Sequence, residues 1–489
     1  MTKINKKNFK KNSLLSFISI GVGTGLSFGI TLIISRLFGA FDYGKILFSL
    51  SFITIMSIFP KFGLDIGLLS FLGRTTINKQ DKKCLFTNAI IFTGVLTSIF
   101  IFIIYRYNEN INIFLFGNKE YVVVIRKILP LTFFINLNIV YLSCFRAHGN
   151  IKKSILFNRV IVRIFKIIAL VCLFKSNKYS SIQNIIIAEY LQELLMFFNY
   201  SFYSLKLKYF GNVKISLLFK SLLVYSFPLL LNGIILILIE NIDQYMIGSL
   251  MTPNFVAIYK ASYQFGAVSN IAATAINILF VPMIAELYYN NNFIELKKKY
   301  SETTKYMIII NLYIFGIILN FSNEIMTLMG KEFIIGANAL IIISLGQIIN
   351  SAVGSVAELN TMTGNQKAVL ISGLVVCSSN ILLNFILIPS FGIVGAAIAS
   401  MISLILRNLI NYIYMFKHLH MHPYEKSYVS YIFIFIFTST LIYFIKDLFY
   451  LNYFIKLLLG GIAYSVIYIT IVIFFIKKDS SELETISSL

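Results

Sequence analysis

Arg159, Arg163 and Lys166 recur at a four-then-three spacing inside one apolar run. That spacing sets three cations on one helix face. The next apolar run answers with Glu189 and Glu193, one helical turn apart. An antiparallel hairpin folded about residue 178 brings Glu193 to the depth of Arg163 and Glu189 to that of Lys166. A charge at the centre of a bilayer costs about 2.5–3.5 kcal/mol or more unless it meets a partner or water. One reading is therefore two buried salt bridges that pin the hairpin and need no substrate. The other is a carboxylate-balanced cationic face lining a wet cleft. Such a face suits a substrate with phosphate groups, because arginine grips phosphate in a fixed fork. The hairpin leaves Arg159 unmatched.

Further charges interrupt apolar runs elsewhere. Lys61 and Asp65 stand at i,i+4, close enough on a helix to neutralise each other. Glu240 and Asp243 fall near the outer end of one run and Lys260 early in the next, opposite one another by the same hairpin arithmetic. Arg36 lies near a run's end, where its stem can snorkel to the interface. Arg407 lies well inside its run, which marks it as a cavity residue.

The elements that position these charges follow from composition. With 58% hydrophobic and 13% charged residues and a mean hydropathy of +0.81, the chain reads as a polytopic membrane protein. A hydrocarbon core of about 30 Å asks for runs of about 20 apolar residues, and about fourteen such spans recur along the chain. They fall at 13–38, 45–71, 84–105, 121–145, 154–174, 183–205, 217–240, 254–283, 303–322, 335–360, 366–388, 391–416, 427–446 and 454–476. An even number returns both termini to one side. The loops on that side hold most of the Lys and Arg, so it is expected to be cytoplasmic.

The chain is also written twice. Gly149-Asn150-Ile151-Lys152 returns as Gly364-Asn365-Gln366-Lys367, and the corner at Leu37-Phe38-Gly39-Ala40 returns at Leu250-Met251-Thr252-Pro253. Glycine and asparagine stop a helix, and lysine suits its negative end. Spans 1 to 6 and 7 to 12 are the expected copies: an all-α fold of two six-helix bundles in a parallel pseudo-twofold repeat, plus two C-terminal helices. The expected domains are an N-terminal lobe at 1–205, an amphipathic cytoplasmic linker at 206–220, a C-terminal lobe at 221–417, helices 13 and 14 at 427–476, and a cytoplasmic tail at 477–489. Two facing bundles would leave a cleft between them. Pro60, Pro130, Pro228 and Pro282, in or at the ends of spans, are either tolerated kinks or hinges for alternating access.

Other functions find little support. The net charge of +22 is dispersed through short loops, so it speaks for a lipid-facing surface and not for nucleic acid. Cys84, Cys144, Cys172 and Cys377 form no close pair, and His418, His420 and His422 have no carboxylate or cysteine cluster nearby, so no metal site is expected. Lys297-Lys298-Lys299 reads as a cytoplasmic anchor. No P-loop or nucleophile–base arrangement occurs, and the outer loops are too short for a glycosyltransferase or polymerase site.

The second copy carries a resemblance. Ile242-Asp243-Gln244-Tyr245-Met246-Ile247-Gly248, Val256-Ala257-Ile258-Tyr259, Phe280-Val281-Pro282, Gly336-Ala337, Thr363-Gly364-Asn365-Gln366-Lys367 and the stretch from Asn384 through Pro389, Gly392 and Gly395 to Ala397 resemble the polysaccharide-exporter branch of the multidrug/oligosaccharidyl-lipid/polysaccharide (MOP) superfamily. The resemblance is to its Wzx-type oligosaccharide flippases and covers essentially the full length. It implies fourteen helices and movement of an undecaprenyl-diphosphate-linked oligosaccharide across a bacterial cytoplasmic membrane by alternating access, driven by an H+ or Na+ gradient or by membrane potential. Arg159, Arg163, Lys166, Lys260, Arg407, Lys61 and Arg36 would then form a cationic cavity for the diphosphate. Asp65, Glu189, Glu193, Glu240 and Asp243 would balance charge or couple ions. Spans 13 and 14 would flank a groove for the lipid tail. The implied partners are the lipid-linked oligosaccharide, membrane lipids, and the polymerase and glycosyltransferases of one surface-polysaccharide pathway; no cofactor is implied. Competing readings are a peptidoglycan lipid II-type flippase and a cation-coupled multidrug exporter.

Overall fold

A computed structural model describes residues 6–116, 121–148, 160–176, 179–213, 216–425, 427–446 and 452–487. The elements among them are helices. In order they are α1 (Lys6–Met56), α2 (Ile58–Lys61), α3 (Leu64–Gly73), α4 (Lys79–Phe116), α5 (Val122–Ile128), α6 (Leu131–Ala147), α7 (Val162–Ser176), α8 (Ser181–Lys206) and α9 (Leu217–Leu250). There follow α10 (Pro253–Gly266), α11 (Ser269–Tyr289), α12 (Phe293–Met329), a 3-10 turn at Lys331–Gly336, α13 (Ala337–Ala352), α14 (Val356–Met362), α15 (Gln366–Leu419), α16 (Ser427–Ile445) and α17 (Tyr453–Ser487). Lipid offers backbone amides no hydrogen-bond partner, so each apolar segment must satisfy its own, and helix is how a single segment does so. Each of the fourteen segments read from the sequence falls on helix over most of its described residues.

Among the described residues eight helices are long and apolar enough to cross a membrane, or nine if α5 and α6, bent by 43° at Pro130, form one span. Two of the eight are too long for one crossing. The 54 residues of α15 would reach about 81 Å as one rod, against a core of about 30 Å. Gly392 supplies the corner with φ 58 and ψ −137, a conformation costly to any residue with a Cβ. The hydrogen bonds confirm a hairpin: Asn411 donates to Ser372 Oγ at 2.9 Å, Ser379 to Ser403 at 3.2 Å and Asn380 to Ser400 at 3.4 Å, all pairs centred near residue 391. Gly39, at φ 78 and ψ 168, breaks the 51-residue α1 in the same way. Helix breaks, and not connecting loops, thus separate spans 1 from 2 and 11 from 12.

The chain divides into two compact units, Met1–Ala257 and Ile258–Leu489. In the first, Leu64, Leu68 and Phe71 of α3 and Phe86 of α4 pack with Leu137, Tyr141 and Cys144 of α6 and Tyr200 of α8. Helix α9 also packs in this unit, and closely. A Cβ on Gly63 would run into the Ser226 carbonyl, and one on Gly67 into Ser226 Oγ. Since lipid tails are as apolar as leucine, such small-residue crossings hold membrane helices together by dispersion. Gly63 also sits at φ 68, so Gly63→Ala combines backbone strain with a clash and is expected to cost about 2–4 kcal/mol. Gly73→Ala, with nothing within 4 Å of the new methyl, should stay within about 0.5 kcal/mol. Reversible unfolding of the two variants in mixed micelles measures the difference, and equal stabilities would show that the crossing is not tight.

The second unit has its core at Phe280, Ile284, Tyr300, Leu359 and Met415. Helices α16 and α17 are fastened to α12 by tyrosines. Tyr428 donates to the Ser301 carbonyl at 2.9 Å and Tyr468 to that of Ile309 at 2.9 Å, while the Tyr464 ring lies against Gly316. Lys456 and Glu324 add an ion pair at 3.4 Å.

Candidate functional site

In the first unit the hairpin read from the sequence forms. Helices α7 and α8 lie side by side, and Ser180 and Gln183 close a capping box that fixes where α8 begins and so the depth of its carboxylates. Lys166 Nζ donates to Glu189 Oε1 at 2.6 Å, with the two side chains 9% and 13% exposed. Glu193 is buried one turn further along. Its Oε2 accepts from Asn138 Nδ2 of α6 at 2.9 Å and its Oε1 from Gln192 Nε2 at 3.0 Å. The half-buried Arg163 donates to the Gly23 carbonyl of α1. The pair that the hairpin set at one depth, Arg163 and Glu193, thus reaches to two different neighbours, α1 and α6. Arg159 lies outside the described residues.

Lys61 is buried, but it does not share a continuous helix with Asp65. Phe62 and Gly63 take left-handed conformations, so Lys61 ends α2 and Asp65 stands in the first turn of α3. The break lets Gly63 meet the α9 backbone, and it places the Asp65 carboxylate where the helix dipole favours an anion. Asp65 remains the carboxylate whose field acts on Lys61. Arg36 and Glu240 are exposed, and Asp243 is buried.

The second unit holds the half-buried Lys260 of α10 and Arg407. Arg407 lies near the middle of the second arm of α15. Its Nη2 donates to Asn350 Oδ1 at 3.4 Å, and Asn408 Nδ2 donates to the same oxygen at 3.0 Å. Asn411 continues the row, donating to the Arg407 carbonyl at 3.0 Å and to Ser372 Oγ, while Asn360 donates to the Asn411 carbonyl at 2.8 Å. Glu358 of α14 accepts from Asn277 at 2.9 Å and acts on Arg407 electrostatically. A row of amides on α13, α14 and the second arm of α15, with the Ser372 hydroxyl on the first arm, therefore lets a guanidinium sit deep among apolar helices. Asn350→Ala removes an acceptor shared by two donors and is expected to cost about 1–3 kcal/mol in mixed-micelle unfolding. Gln347→Ala, which leaves both donors on Asn350, is the comparison, and an equal loss there would show that the shared acceptor is not what matters.

Sequence reasoning followed the charges and passed over the amides. Asn138, Asn350, Asn360, Asn408 and Asn411 were legible only as polar breaks in apolar runs, in a chain where asparagine is common. The three histidines go separate ways: His418 Nε2 lies 3.2 Å from the Tyr288 hydroxyl, His420 ends α15 at φ 51, and His422 stacks on Tyr424.

The comparisons with known proteins agree on a class. The chain is 31% identical over 194 residues to the probable low-salt glycan biosynthesis flippase Agl15 of Haloferax volcanii, covering 38% of either protein. It is 27% identical over 232 residues to the capsular polysaccharide biosynthesis protein CapF of Staphylococcus aureus, covering 45% of this chain and 54% of that one. These matches span about half of those relatives or less. Among solved structures, the lipid II flippase MurJ in an inward closed conformation superposes with a TM-score of 0.73 at 15% identity, covering 93% of this chain and 98% of that one. An inward-facing multidrug resistance MATE transporter of the MOP superfamily gives 0.67 at 13% identity, over 83% and 98%. A MOP superfamily transporter from Pyrococcus furiosus, described by a binding pocket of reverse polarity, gives 0.60 at 15%, over 85% and 96%. At such identities the likeness establishes the fold, that of the MOP transporters. Residues 9–288, more than half of the chain, match the family described as polysaccharide biosynthesis protein, and the chain belongs to that family.

Proposed function

We propose that this multi-pass membrane protein is a flippase that carries lipid-linked oligosaccharide repeat units, joined to undecaprenyl through a diphosphate, across the cytoplasmic membrane by alternating access. It is a transporter and not an enzyme. The observation that carries the substrate reading is Arg407, a guanidinium held mid-helix by Asn350 in a chain of the polysaccharide biosynthesis family. A cation kept at such cost suits a substrate whose crossing group is anionic. In this reading Arg407 is foremost among the substrate's cations, with Arg36, Lys61, Arg159, Arg163, Lys166 and Lys260. Asp65, Glu189, Glu193, Glu240 and Asp243 balance them or couple H+ or Na+. The two copies, residues 1–205 and 221–417, are lobes related by the parallel repeat, with 206–220 between them, helices 13 and 14 at 427–476 beside the lipid tail, and both termini cytoplasmic. The polymerase and glycosyltransferases of the same pathway are its partners.

Deletion of the gene in a strain without a redundant transporter tests this. The expected result is loss of surface glycan, with the lipid-linked repeat unit stranded on the cytosolic leaflet. Normal surface glycan would contradict it. A second reading, a lipid II-type flippase, draws on the fold likeness to MurJ. In the same deletion it would strand a peptidoglycan precursor instead.

A further inference from the structure

At the end of the first unit where α4 begins, a cavity of about 300 Å³ opens between α4, the end of α6 and the segment after α8. Lys79, Lys82 and Lys83 line it, all from the first turns of α4. Their i, i+3, i+4 spacing sets three like charges on one helix face, which is unfavourable, and at a helix N-terminus, which the dipole disfavours for cations. Asp81 lies off that face and is not part of the lining. Among the described residues none of the three lysines has a carboxylate within ion-pair distance. The chain therefore builds a local conflict that an anion in the cavity would relieve, with the first amides of α4 adding to the attraction.

The opposite wall is held firmly. His148 Nδ1 donates to the Cys144 carbonyl at 2.9 Å, and its ring stacks on Tyr209 with centroids 4.3 Å apart and planes 26° apart. The segment carrying Tyr209 is pressed onto α4: Gly211 N donates to Thr87 Oγ1 at 2.9 Å, and a Cβ on Gly211 would lie 2.8 Å from the Cys84 amide. Phe86, buried, contacts Tyr209 edge-on and forms the apolar floor. Cations on one side and aromatic carbon on the other are what a phosphate group with an attached carbon chain asks for.

We propose that this cavity binds a phosphate-bearing ligand, with Lys82 and Lys83 on the phosphate and Phe86 and Tyr209 against what it carries. The cavity lies wholly in the first unit and uses none of the charges assigned to the transported substrate, so its failure would leave the transport reading standing. A phosphatidate-like lipid headgroup and free phosphate share this chemistry, and one experiment separates them. The purified full chain in neutral detergent is acylated with an amine-reactive reagent, and labelling at Lys79, Lys82 and Lys83 is read by mass spectrometry with Lys298 as reference. Short-chain phosphatidate is expected to lower labelling of Lys82 and Lys83 about fivefold relative to Lys298, with short-chain phosphatidylcholine without effect. Equal protection by inorganic phosphate would identify the phosphate itself as the ligand, and protection by phosphatidate alone would identify the lipid. The variant K79Q/K82Q/K83Q should retain phosphatidate in native mass spectrometry about tenfold less well. Labelling unmoved by both phosphate and phosphatidate, or lowered as much by phosphatidylcholine, would overturn the proposal; this readout uses the unaltered chain and needs no variant to fold.

Discussion

Substituting Glu189 by glutamine is expected to destabilise the first unit by about 3–5 kcal/mol, the cost of leaving a buried ammonium without its carboxylate. The basis is geometric. Lys166 Nζ lies 2.6 Å from Glu189 Oε1, both side chains are nearly closed to solvent, and the two helices they join are neighbours in sequence and in space. Removing both charges together, as in Lys166→Met with Glu189→Leu, should cost under about 1 kcal/mol or even stabilise, because two desolvation penalties vanish with the attraction. Unfolding of the single and double variants in mixed micelles reads the difference as a coupling energy. A large coupling with transport kept in the double variant makes the pair a fastener of the hairpin. Transport lost in a stably folded double variant makes Lys166 part of the substrate's path. A single variant as stable as the unaltered protein would mean that the pair does not form.

Arg407→Leu should separate stability from transport more sharply. A charge at mid-helix costs about 2.5–3.5 kcal/mol on insertion scales, so leucine there should insert and fold at least as well. Asn350 still accepts from Asn408 in that variant, so no buried acceptor is orphaned. Transport should nonetheless fall roughly 10- to 150-fold, the equivalent of a charged hydrogen bond of about 1.5–3 kcal/mol lost to the diphosphate. Arg407→Lys, which keeps the charge without the fork, should fall between. The measurement is flux in reconstituted vesicles at matched amounts of folded protein. Full activity in Arg407→Leu would remove Arg407 from the substrate's path.

The fold was legible because lipid reduces secondary structure to one choice and apolar length to one dimension. The apolar segments fell on helices, and the hairpin of α7 and α8 followed from spacing alone, down to the pairing of Lys166 with Glu189. What escaped was set by neighbours distant in sequence. Pro60 marked a bend beside Lys61, but that the break falls at Gly63, against the α9 backbone around Ser226, depends on a helix far off in sequence. Arg163 and Glu193 matched in depth, but depth does not fix rotation, and each turns to a third helix. The amides around Arg407 come from α13, α14 and the second arm of α15, and the corner at Gly392 brings the Ser372 hydroxyl of the first arm to Asn411. The corner itself sits in the motif that carried the family resemblance, though its conformation could not be read from it.

The central claim is that this chain moves a diphosphate-linked oligosaccharide from one leaflet to the other, and reconstitution tests it most directly. Purified protein is placed in vesicles loaded with a fluorescent polyprenyl-diphosphate oligosaccharide, and exposure of the sugar to an impermeant quencher is followed in time. The account expects the protected fraction to become accessible with the intact protein, and far more slowly with Arg407→Leu. Exposure no faster than in protein-free vesicles, from folded protein tested under proton and sodium gradients of either direction, would contradict it.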